Sequence, residues 1–168
     1  YVKGSYHQDW LLQATDWNWR LESEKAGELR AIADIGSHLI DQISFVSGLE
    51  VESVLADLHT IVKERQKPTG PVQTFTVDTT SKRETVKMSS DDAAGVLIRY
   101  KNGARGTLSI SQVSAGRKNN LSWEISGTES AIAYDSVEPE KLWIGHRGTT
   151  NEISLKDPTT ISSDAARN

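Results

Sequence analysis

The chain has 168 residues, 36% of them apolar and 25% charged, with a net charge of −4 and no cysteine. That length and composition suit one globular domain, residues 1–168, and exclude a disordered chain, a disulfide framework and thiolate zinc sites. No run of eighteen apolar residues, no leader and no basic stripe is visible, so a cytoplasmic protein without membrane or nucleic-acid partners is expected.

The first thirty residues read as irregular and rich in tryptophan, with Trp10, Trp17 and Trp19 following neither a helical nor a strand period. From Asp34 to Val46 the spacing of Leu39, Ile40, Ile43 and Val46 predicts a helix with one buried stripe, stopped by Gly48. The period then changes to two. Val54, Ala56, Leu58, Thr60 and Val62 alternate with Asp57, His59 and Ile61, which predicts a strand with one buried face. Residues Gln66 to Asp91 are polar and carry prolines, and read as a long connection with room for one short strand at Thr74–Asp78.

Beyond Ala93 nearly everything reads as strand. AGVLIRY, Asn102-Gly103 and ARGTLSISQV form a hairpin whose Asn-Gly pair suits a type I′ turn. Further strands are expected at Leu121–Ser126, Ser130–Tyr134, Lys141–Ile144 and Asn151–Leu155. On the strand from Arg105 to Ser111 the alternate positions Arg105, Thr107, Ser109 and Ser111 are polar, whereas Leu108 and Ile110 are apolar. A sheet with one apolar face needs a helix layer on it. The expected fold class is α+β: an open, mostly antiparallel β-sheet with helices packed on one face.

Three groups of residues could carry chemistry. Asp34 and His38 stand at i and i+4 on one helical face, where a carboxylate can orient an imidazole for acid–base work. Gly36 between them lets another element approach closely. The same residues also fit a helix N-cap and a packed histidine. Gln8, Trp10, Trp17, Trp19 and Arg20 mix aromatic planes with hydrogen-bonding groups, which suits a sugar or polyol or the sealing of a core edge. The loop Gln112–Asn120 carries two cations and suits a ligand, a partner subunit or solvent, and His146 with Arg147 is a weaker case of the same kind. Asn120-Leu121-Ser122 has the form of a glycosylation acceptor, a short and common pattern. Dinucleotide and phosphate-loop glycine motifs, the nucleophile elbow and zinc-protease motifs are all absent.

The ordered set VKGSYHQDWLL, TDWNWRLE, AIADIGSHLIDQISFVSGLEV, DDAAGVLIRYKNGARGTLSISQVSAGRKN and KLWIGHRGTTNEISLKDP resembles the C-terminal domain of the Gfo/Idh/MocA oxidoreductases. The resemblance implies the substrate-binding half of a longer, two-domain NAD(P)-dependent sugar or polyol dehydrogenase. NAD or NADP would be held by a Rossmann domain that is not in this chain, leaving no cofactor-binding residue here and no metal. It implies that His38 is the general acid/base, that Asp34 orients the substrate or the histidine, and that the open sheet supports a homo-oligomer. The isolated domain is then expected to be inactive. The alternative is a non-catalytic binding or scaffold module of the same fold. A metal-assisted hydrolase using Asp34, His38 and His59 or His146 is the third reading.

Overall fold

The computed structural model describes residues 1–70, 82–157 and 159. In chain order the strands are β1 (Val2–His7), β2 (Val51–His59), β3 (Glu64–Pro68), β4 (Arg83–Lys87), β5 (Ala93–Tyr100), β6 (Arg105–Ser111), β7 (Asn120–Ser126), β8 (Ser130–Asp135), β9 (Lys141–His146) and β10 (Glu152–Leu155). Eight of them form one sheet in the order β10-β9-β8-β7-β1-β6-β5-β2, and β3 and β4 form a separate hairpin. Every neighbouring pair in the large sheet is antiparallel except β1 with β6. The α+β expectation therefore stands, with one parallel pair at the sheet's centre.

The helical layer lies on one face. A 3₁₀ turn (Trp19–Leu21) and a single turn α1 (Ser23–Ala26) precede a π turn (Ile32–Gly36) that runs directly into α2 (Ser37–Ser47). The buried stripe is Ile35, Leu39 and Ile43, seated on Val2, Val96, Ile98, Leu108, Ile110 and Trp123. Val46, expected in that stripe, is 43% exposed: the buried positions recur every four residues, at Ile35, Leu39 and Ile43, and Val46 falls off that row. Gly48 stops the helix as expected, in the left-handed conformation at φ 66° with its N–H on the Ser44 carbonyl. Gly4 is where α2 comes closest to the sheet. A Cβ there would stand 3.1–3.2 Å from Leu108, Ile43 and Leu39.

Four expectations change. The N-terminus is not irregular throughout: β1 is the central strand of the sheet. Strand β2 does form, but it is the outermost strand and all nine of its residues are exposed, so neither face is buried. The stretch read as a long connection contributes to the β3–β4 hairpin, while Thr74–Asp78 lies outside the described residues. In the β5–β6 turn the hydrogen bond runs from Gly103 N–H to the Tyr100 carbonyl, which centres the turn on Lys101 and Asn102. Gly103, at φ 90°, then closes it in the manner of a bulged three-residue loop rather than a type I′ turn.

Candidate functional site

Asp34 is not the N-cap of its helix. That role falls to Asp91, whose carboxylate accepts from the backbone N–H of Arg30 at 2.7 Å and of Ile32 at 2.8 Å. It satisfies two of the amides that a helix start leaves without intrahelical partners. Asp34 sits instead inside the π turn, whose wider winding is closed by Ser37 N–H on the Ile32 carbonyl. Gly36 is buried in the same turn, and a Cβ there would lie 2.8 Å from Ile32 Cδ1 and 3.4 Å from Ile110 Cγ1. The missing side chain lets this turn rest against β6, and this brings Asp34 to Gln112 just past the end of β6.

Both Asp34 oxygens are engaged. Arg20 Nε donates to Oδ1 at 3.0 Å, and Gln112 Nε2 donates to Oδ2 at 2.8 Å. Arg20 is itself steadied over the Trp19 ring, 4.6 Å from its centroid, and by Asn18, whose side chain caps the 3₁₀ turn. Trp19, Arg20 and Asp34 line a cleft of about 250 Å³ together with Lys25, Leu29 and Arg30. His38, one helical turn after Asp34, is exposed and makes no hydrogen bond or ion pair among the described residues. The two residues share a helix face, yet Asp34 does not hold the imidazole here.

A second wall is built from the end of β1. Tyr6 Oη donates to Asn119 Oδ1 at 2.8 Å, Gln8 Nε2 donates to the same oxygen at 2.7 Å, and Trp10 Nε1 donates to Gln8 Oε1 at 2.7 Å. Burial foremost holds the Tyr6 hydroxyl above its ordinary 10.0; the Asn119 hydrogen bond opposes this, and the nearby Asp34 carboxylate adds to it. Lys118 closes the loop onto Asp9 at 2.7 Å. The loop Gln112–Asn120 is thus tied to the site at both ends rather than loose in solvent.

Of the residues picked out by sequence, Asp34, Trp19 and Arg20 share one cleft. Gln8 and Trp10 join the Tyr6–Asn119 wall beside Asp34. Trp17 lies elsewhere: it lines a cleft with Leu21, Glu22, Lys67 and Met88, with Lys67 Nζ 5.5 Å from its ring centroid. Tyr6, Gln112 and Asn119 were not picked out individually, although the loop bearing the last two was. Asn120, in the glycosylation-like triplet, is buried and donates to Asp135 at 2.7 Å. Among the described residues no three of His, Cys, Asp and Glu cluster as metal ligands would. His59 stands on the exposed edge strand, and His146 is 3.1 Å from Glu152.

The fold that carries these residues, a helix layer on one face of an open sheet, recurs in known proteins. The structure matches the crystal structure of an oxidoreductase domain protein from Kribbella flavida with a TM-score of 0.77 and 30% identity, over 92% of this chain and 40% of that one. Residues 1–133 match the GFO/IDH/MocA C-terminal domain, and the chain belongs to that family. It is similar to the levoglucosan dehydrogenase of Pseudarthrobacter phenanthrenivorans, 29% identical over 143 residues that make up 84% of this chain and 36% of that protein. The apo form of levoglucosan dehydrogenase superposes with a TM-score of 0.84 at 26% identity, covering 94% of this chain and 41% of that one. Its complex with NADH and L-sorbose gives 0.79 at 27%, over 94% of this chain and 40% of that one. The chain spans about two fifths of the length of these relatives.

Proposed function

We propose that this chain is the substrate-binding domain of an NAD(P)-dependent dehydrogenase acting on a sugar or polyol. The observation that carries the reading is the Asp34 carboxylate held by Arg20 and Gln112 one turn before an exposed His38 that has no partner among the described residues. Levoglucosan dehydrogenase, one relative with the same fold, has been captured with levoglucosan and with L-sorbose.

His38 takes the proton of the substrate hydroxyl as the carbinol carbon loses its hydride, and returns it in the reverse direction. The nicotinamide supplies the hydride acceptor when bound. This chain offers that cofactor no G-x-G-x-x-G cradle, so the domain by itself does not turn over. Asp34 orients a substrate hydroxyl beside His38. Gln8, with Tyr6 and Asn119, offers hydrogen bonds to further hydroxyls, while Trp10 and Trp19 offer flat apolar surface to the C–H faces of a ring.

The open sheet face supports a homo-oligomer. One row crosses all eight strands in register: Leu55, Leu97, Thr107, Lys3, Glu124, Ala133, Trp143 and Ile153. Leu55, Leu97 and Ile153 are each more than half exposed. A second copy would cover the exposed Leu55, Leu97 and Ile153 of this row and leave the helical face open to substrate.

The test is turnover by the full-length protein, followed as absorbance of reduced nicotinamide with a panel of sugars and polyols and both cofactors. His38→Ala is expected to lose about 10²–10⁴ of kcat with its fold intact. Full activity in that variant, or no substrate at all, would return the domain to a binding or scaffold role.

A further inference from the structure

We propose that Gln112 is a positioning residue for Asp34, anchored from behind by a buried Arg30–Asp92 pair. The inference rests on the catalytic reading of Asp34. Gln112 is fully buried, and its carboxamide lies between two charges. Its Oε1 accepts from Arg30 Nη1 at 2.7 Å, and its Nε2 donates to Asp34 Oδ2 at 2.8 Å. A guanidinium has no acceptor, so Arg30 can face only the oxygen of the amide. The NH₂ must then point at Asp34. A flipped amide would set N–H against guanidinium and C=O against carboxylate, two repulsions in a low-dielectric interior.

The anchor is rigid. Arg30 is 2% exposed and its other Nη is bound by Asp92 Oδ1. That same oxygen accepts from Arg65 Nη2 at 2.9 Å, while Asp92 Oδ2 accepts the Ile61 and Val62 amides at 2.7 Å each. Arg65 is pinned in turn by the carbonyls of Leu11 and Gln13. From Asp92 outward the order is carboxylate, guanidinium, amide, carboxylate. Each member meets the next with a donor facing an acceptor.

The consequence for Asp34 is directional. With Arg20 on Oδ1 and Gln112 on Oδ2, the carboxylate plane is fixed and both oxygens serve as acceptors. The charged and titratable groups around it are Arg20, Lys25 and Arg30 on the segments before it, His38 on α2, Tyr6 on β1 and Asp91 at the helix start, with Asp92 and Arg65 behind Arg30.

Three single variants and one double variant of the full-length protein test this, read as kcat against pH with melting temperature as the fold check. Gln112→Glu keeps the size and the bond to Arg30 but turns an acceptor toward Asp34. Two facing carboxylates cannot both be charged without repulsion, and they share a proton more readily as the pH falls. The expected result is a loss of about 10–100-fold in kcat at high pH that shrinks toward acid. Gln112→Met carries no charge into the core and serves if Gln112→Glu does not fold. Its expected loss is independent of pH, and in combination with Asp34→Asn it costs nothing beyond Asp34→Asn alone. Additive losses, or wild-type kcat in the Gln112 variants while Asp34→Asn is impaired, overturn the positioning role and leave the catalytic reading standing. Full activity in Asp34→Asn overturns both.

Discussion

Removing the Asp92 carboxylate tests the buried cluster most directly. Asp92 is 1% exposed and accepts from four donors: the guanidinium groups of Arg30 and Arg65 on one oxygen, the Ile61 and Val62 amides on the other. In Asp92→Ala two guanidinium groups, 2% and 0% exposed, lose their anion. Breaking a buried ion pair from one side costs about 3–5 kcal/mol. Each amide left without its acceptor adds up to about 1–3 kcal/mol, least at Ile61, which is 49% exposed and can turn to water. A total near 4 kcal/mol is a conservative floor, and a domain of this size has about 5–15 kcal/mol in all. The assay is urea unfolding followed by tryptophan fluorescence. With a slope of about 2 kcal/mol per M, the midpoint falls by about 2 M. Asp92→Asn keeps one acceptor and falls between Asp92→Ala and the parent. Replacing all three residues by apolar ones, Arg30→Met, Arg65→Met and Asp92→Leu together, costs less than Asp92→Ala alone, because no charge is left unpaired. A midpoint shift under about 0.5 M in Asp92→Ala would refute the argument, since it would mean that the cluster holds nothing the solvent cannot replace.

Gly4→Val is expected to destabilise by about 1–3 kcal/mol or to prevent folding, because its Cβ already meets Leu39, Ile43 and Leu108 at 3.1–3.2 Å; denaturant midpoints decide it. Leu97→Asp places a charge beside the exposed Leu55, so sedimentation velocity should show dissociation of any homo-oligomer without loss of monomer stability; an unchanged sedimentation coefficient above the monomer value counts against that face. His7 is held below its ordinary 6.5, first by burial and then by repulsion from Arg117. The unfolded chain takes up that proton first, so this contribution to stability is complete above pH 6.5 and is lost as the pH falls from there through the lower folded value. NMR titration of the imidazole checks the sign, Arg117→Gln should move the midpoint up, and a native midpoint at or above 6.5 contradicts the assignment.

What could be read from sequence was mostly local. The β5–β6 hairpin and strands β7 to β10 announce themselves through alternation and short turns, and α2 through its stripe. Strand β1 was missed for a physical reason. Its helix-facing positions are Val2, Gly4 and Tyr6, and the middle one must lack a side chain because α2 presses on it. The packing that makes β1 central thus erases the alternation that would reveal it. Strand β2 shows the converse, since alternation records a pattern and not what covers it; an edge position left both faces exposed. The β3–β4 hairpin, ERQKP against RETVK, hides a fully buried Arg65 among residues that all look like surface. Asp34 and His38 are neighbours on one helical segment, so their spacing alone pairs them as candidates. The partners of Asp34 are not all readable in that way. Arg20 is close in sequence, but Gln112 reaches Asp34 across 78 positions, and no short-range period reports such a contact.

The place of β1 has a kinetic consequence. Val2 pairs with Gly106 on one side and Ile125 on the other, so the earliest strand in the chain closes the longest loops. Without it the sheet divides into β2-β5-β6 and β7-β8-β9-β10, two units assembled largely from consecutive hairpins. Loop-closure entropy places the zipping of these halves by β1 after their local formation. Tyr6 and Gln8 travel with that strand, and α2 rests on it at Gly4. The wall of Tyr6, Gln8 and Asn119 therefore exists only where β1 has joined the two half-sheets.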